Sequence, residues 1–106
     1  MKQTNKSYFH ATPYENLLSI VDNGIKTGCD RVIYVADNPT SAAMFLAVRG
    51  CKDILVVEVK LPSSKLVESF DHSEAFFRCR AFTYDKPIST KHIKNYTRYD
   101  LTKRGV

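Results

Sequence analysis

The run Ile54-Leu55-Val56-Val57-Glu58-Val59 is β-branched and, over its first residues, apolar on both faces. That is the pattern of a strand buried within a sheet rather than one lying on its surface. Pro62 ends it, and a polar turn follows through Ser63, Ser64 and Lys65, with Leu66 and Phe70 as anchors. Further on, Phe76 to Tyr84 alternates, placing Phe76, Arg78, Arg80, Phe82 and Tyr84 on one face. Pro87 breaks that strand, and Ile93 to Leu101 reads as a last one.

The first half of the chain reads differently. Ser7 to His10 is a short strand, after which Thr12-Pro13-Tyr14-Glu15 starts a helix with Thr12 as N-cap and Glu15 closing a capping box. Tyr14, Leu17, Leu18 and Val21 share a face of that helix, and Gly24 stops it. After a loop containing Gly28, Arg31 to Val35 is a second strand. Asn38-Pro39 then caps a helix whose Ala42, Ala43, Phe45, Leu46 and Ala47 are apolar on most sides up to Gly50. Helices gathered in the first half and strands in the second predict an α+β fold, and residues 1–106 form a single domain.

Composition narrows the function classes. A hydrophobic share of 43% with 25% charged residues describes a globular chain, not a disordered one. No stretch reaches the length of a membrane span, and Met1 to Lys6 has no apolar signal core, so the expectation is a cytoplasmic protein without membrane contact. Cys29, Cys51 and Cys79 are odd in number and show no CxxC spacing, which indicates neither a disulfide framework nor a metal site. Charge is uneven: residues 1–77 carry a net −1 and residues 78–106 a net +6. Such a basic end can attract phosphates or nucleic acid, and it also suits a solvated strand edge.

Three residues gain weight from their arrangement. His10 alone is a strand histidine satisfied by a backbone carbonyl, Thr12 alone is a cap, and Tyr34 alone is a β-former. Together they spell strand, His10-Ala11-Thr12, helix, then strand, Ile33-Tyr34-Val35-Ala36-Asp37, helix. This order resembles the ADP-ribosyltransferase superfamily, and most closely its poly(ADP-ribose) polymerase branch. There a His-Gly-Ser/Thr motif lies on the first catalytic strand, and Ile-Tyr-Phe-Ala-Asp precedes a helix with a Ser-Ala pair and a Tyr. In this chain the second motif aligns without a gap, Ala43 matches the alanine, and Phe45 falls on the aromatic position.

The resemblance implies a split antiparallel sheet around an NAD cleft, with two main helices. It implies NAD as substrate and no metal. His10 would donate to a ribose hydroxyl, the backbone of Ala11 would bind the nicotinamide carboxamide, and Thr12 would contact the adenosine-side ribose. Tyr34 and Phe45 would sandwich the nicotinamide. The family's helix serine falls on Ala42, with Ser41 one residue away as a substitute. The implied activity is mono-ADP-ribosylation of a macromolecule, nucleic acid or protein, with release of nicotinamide. A domain this small would suit a phage, plasmid or toxin-type effector.

The third family motif departs. The branch carries Glu where Arg80-Ala81-Phe82-Thr83-Tyr84-Asp85 places Arg80. A carboxylate there can stabilise an oxocarbenium-like transition state; a guanidinium repels developing positive charge. Glu74, a few residues earlier, is the carboxylate that would reach in from a loop. Arg78 and Arg80 together would grip a phosphate, as in the related RNA 2′-phosphotransferases. Nucleic acid would meet Arg78, Arg80, Lys91, Lys94 and Arg98. Two alternatives to the transferase are thus an inactive module that binds NAD, ADP-ribose or a protein partner, and a phosphotransferase-like enzyme.

Overall fold

The computed structural model describes residues 5–28, 31–69 and 81–103. Their elements run β1 (Asn5–Pro13), a 3-10 turn (Tyr14–Asn16), α1 (Leu17–Asn23), β2 (Ile33–Ala36), α2 (Pro39–Ala47), β3 (Asp53–Pro62), β4 (Val67–Ser69), β5 (Ala81–Tyr84) and β6 (Ile93–Asp100). The strands form one six-stranded sheet in the order β4-β5-β2-β1-β3-β6, antiparallel at every described pair. The fold is α+β, as the distribution of helices and strands predicts.

The doubly apolar β3 explains the layering. It lies between β1 and β6, and its alternate residues feed two cores. Leu55, Val57, Val59 and Leu61 join Tyr8, Ile33 and Val35 under Ile20 of α1. Ile54 and Val56 join Ala36 and Ala81 under Ala42, Ala43 and Phe45 of α2. One helix therefore covers each face of the sheet. Each fully buried branched side chain of β3 contributes about 1.5–3 kcal/mol. Asn38 caps α2 as its sequence predicts, its Oδ1 accepting from the Ser41 N–H at 2.8 Å.

Several local expectations are corrected. Thr12 is not an N-cap: it pairs with Leu55 inside β1, which runs on to Pro13 opposite Ile54. A Thr cap is worth about 1 kcal/mol, less than two further ladder positions and the burial of Thr12 together. The helix enters instead through a 3-10 turn, with three residues per turn. That sets the buried face at Tyr14, Leu17 and Ile20, leaving Leu18 and Val21 exposed. The second strand begins at Ile33, not Arg31, because Arg31 takes a left-handed φ of 65° in the preceding loop. The polar turn is present as a 3-10 turn over Ser63–Lys65, and β4 follows it at Val67–Ser69, where the sequence predicted no strand. In the described part of β5, Phe82 and Tyr84 pack on the α1 side and Ala81 on the α2 side, in keeping with the alternation. Among the described residues no helix is long and apolar enough to cross a membrane.

Candidate functional site

The ladder between β1 and β2 is the weak seam of the sheet. β1 pairs with β3 from Asn5 to Pro13, and β2 pairs with β5 over its whole length, but β1 and β2 meet only at Phe9–Ala36. Past that pair the strands part. Into the gap His10 places its imidazole, whose Nδ1–H donates to the backbone carbonyl of Tyr34 at 2.9 Å. A carbonyl only accepts, so the proton belongs on Nδ1 and the neutral ring keeps its lone pair on Nε2. Part of the ring surface is open to two hollows, yet its surroundings are dry enough that desolvation lowers its pKa below 6.5, against the raising effect of the Tyr34 carbonyl. His10 is therefore a neutral acceptor at physiological pH.

The first hollow, about 120 Å³, is lined by Phe9, His10, Ala11, Tyr34, Phe45, Leu46 and Arg49. Alternation on β1 and β2 sends Phe9, Ala11 and Tyr34 to the α2 side, and the first helical turns of α2 carry Phe45 onto the same spot. Arg31 alone among the described non-glycine residues has positive φ, so Ala11 sits unstrained in ordinary strand geometry.

The second hollow, about 180 Å³, opens on the α1 side and is lined by His10, Thr12, Asn16, Ser19, Ile20, Gly24, Ile25 and Lys26. Thr12 Oγ1 accepts from Asn16 Nδ2 at 2.8 Å, so the side chain expected to cap a helix instead holds a polar wall. Gly24, at φ 78° and ψ −167°, shapes its floor. A Cβ there would lie 2.3 Å from the Ile88 carbonyl oxygen, across the bridge that joins Ile25 to Ile88.

Of the residues expected from sequence, His10, Ala11, Tyr34 and Phe45 come together around the first hollow, and His10 and Thr12 around the second. Ser41 lies buried in the first turn of α2 and outside the lining of both; Ala42 is in the core. Glu74, Arg78 and Arg80 fall outside the described residues. Lys91 and Lys94 are exposed near β6, two strand spacings, about 10 Å, from β1. Arg98 is engaged in the structure itself: Nε and a terminal nitrogen hold both Asp53 oxygens at 2.9 and 2.8 Å, and the guanidinium lies 4.1 Å over the Tyr14 ring. Four polar or charged lining residues went unnoticed in sequence: Arg49, Asn16, Ser19 and Lys26. Arg49 was accessible from helical spacing, four residues after Phe45.

Among the described residues no carboxylate lines either hollow, and no three His, Cys, Asp or Glu side chains cluster as metal ligands. The walls can hold a flat ring on the α2 side and hydroxyl-bearing groups on the α1 side. No protein-family model matches the chain, and no curated protein matches it.

Proposed function

We propose that the chain binds NAD across His10 and transfers its ADP-ribosyl group to a macromolecule, in the manner of an ADP-ribosyltransferase. The observation that carries this reading is the parting of β1 from β2 after Phe9–Ala36, with His10 between two hollows of different chemistry. Each hollow is smaller than the about 300–1,000 Å³ usual for a small-molecule site, so a dinucleotide needs both. The nicotinamide ring enters the first, between Tyr34 and Phe45. The adenosine half of the molecule crosses His10 toward Thr12, Asn16 and Lys26.

The neutral ring of His10 refines its part. With Nδ1–H given to the Tyr34 carbonyl, Nε2 accepts from a ribose hydroxyl rather than donating to it. Transfer breaks the bond between ribose C1′ and the pyridinium nitrogen, whose electron pair stays on the departing neutral nicotinamide. A nucleophilic oxygen or nitrogen of the acceptor forms the new bond at C1′ and yields its proton to solvent. Holding ring and ribose in fixed relation is the contribution these side chains can make.

A second reading has its own support. With no carboxylate among the described lining residues, the same cleft suits a module that binds NAD or ADP-ribose without turning it over. Calorimetric titration with NAD, followed by assay of nicotinamide release in the presence of nucleic acid and of protein acceptors, separates the two. Binding with release supports the transferase, binding without release supports the module, and no binding overturns both.

A further inference from the structure

We propose that Arg49 is the anion anchor of the first hollow, gripping the diphosphate of NAD while the ring lies between Tyr34 and Phe45; this rests on the NAD reading above. Arg49 follows the end of α2, but the helical path continues through it, since the Val48 N–H donates to the Met44 carbonyl and the Arg49 N–H to the Leu46 carbonyl, each at 3.0 Å. Phe45 and Arg49 therefore lie on one flank, about 6 Å apart along the axis. The lining of the hollow contains both.

Among the described residues the guanidinium of Arg49 has no carboxylate or hydrogen-bond partner; its one bond is through its backbone N–H. Arg98 shows the contrast, its fork filled by Asp53. A cation near the C-terminal end of α2 is favoured by the helix dipole, which accounts for an Arg in that turn. It does not account for an unfilled fork on the wall of a hollow otherwise built from His10 and from Phe9, Ala11, Tyr34, Phe45 and Leu46. A planar five-donor group beside aromatic walls suits a ligand that joins a flat ring to a phosphate. Aromatic walls alone accept a nucleoside as readily as a nucleotide. Arg49 makes the site select the phosphorylated form.

The test compares calorimetric binding of nicotinamide mononucleotide and nicotinamide riboside to the full chain, to Arg49→Ala and to Arg49→Lys. Arg49 is exposed, so neither substitution disturbs the core. The intact chain is expected to bind the mononucleotide about tenfold or more tightly than the riboside, with Arg49→Ala erasing that preference and Arg49→Lys retaining part of it. A preference that survives in Arg49→Ala, or is absent from the intact chain, overturns the role of Arg49 while leaving the NAD reading in place. Loss of oligonucleotide affinity alone in Arg49→Ala assigns the anion to an acceptor and likewise overturns it. An intact chain that binds neither nicotinamide compound overturns the NAD reading and this inference together.

Discussion

The His10 imidazole spans the gap between β1 and β2 and donates from Nδ1 to the Tyr34 carbonyl at 2.9 Å. One side chain thus does the work of a missing ladder bond and leaves its other nitrogen available to a ligand. One end of the ring is thus fixed in the fold, and on the proposed reading the other end would serve the ligand.

Those two ends can be separated. His10→Ala removes the Nδ1–H bond to the Tyr34 carbonyl, and the expected cost is about 1–3 kcal/mol in urea denaturation. His10→Asn keeps a donor close to the position of Nδ1 and is expected to recover most of that stability, while NAD binding stays weak because nothing replaces Nε2. Full NAD affinity in His10→Asn would remove Nε2 from the site.

Acid should destabilise the protein through the same ring. The folded-state pKa of His10 is held below 6.5 by desolvation, so in the acid range the unfolded chain binds the proton more readily than the native one. The contribution of His10 to stability is complete above pH 6.5 and is lost as pH falls through that value toward the folded-state pKa. Thermal unfolding from pH 8 to pH 5 is expected to show a decline beginning near pH 6.5 that is shallower in His10→Asn. Parallel profiles for the two proteins would place the acid sensitivity elsewhere.

How much was legible in the sequence depended on how local each determinant is. The Asn38 cap, the apolar faces of α2 and the doubly buried β3 follow from neighbours in the chain, and all are present. Tyr34 and Phe45 are held by a strand–turn–helix unit, and their meeting in one hollow was expected from the resemblance of that unit to a known family's motif. Thr12 could not be read that way, because its conformation is decided by Leu55, far along the chain. Nor could the phase of α1, which turns on whether the first turn is 3-10 or α. The gap between β1 and β2 depends on where tertiary pairing stops, and no residue type marks that point.

Gly24 provides a test of the second hollow. Its φ of 78° and ψ of −167° fall in a region reserved for glycine, and any side chain would meet the Ile88 carbonyl. Gly24→Ala is expected to cost about 2 kcal/mol or more and to break the Ile25–Ile88 bridge. Amide hydrogen exchange should then show faster exchange at Ile25 and Ile88, whose N–H groups bond each other's carbonyls at 2.9 and 2.8 Å. Unchanged protection at both amides would mean the backbone absorbs the methyl group elsewhere.

The aromatic walls of the first hollow are best tested at Tyr34. Phe45 is 9% exposed and sits in the α2-side core, so Phe45→Ala would lose about 3–5 kcal/mol and confuse folding with binding. Tyr34 is only half-buried and its ring borders the hollow, so removing it costs the fold less and the ligand more. Stacking of an aromatic ring on a base is worth about 1–3 kcal/mol, or roughly 5- to 150-fold in affinity. Tyr34→Phe keeps the flat surface and is expected to bind NAD within about twofold of the intact chain. Tyr34→Ala should fall by tenfold or so, with the same loss for nicotinamide alone, because the missing contact is to the ring. A loss confined to NAD and absent for nicotinamide would put the ring somewhere other than beside Tyr34.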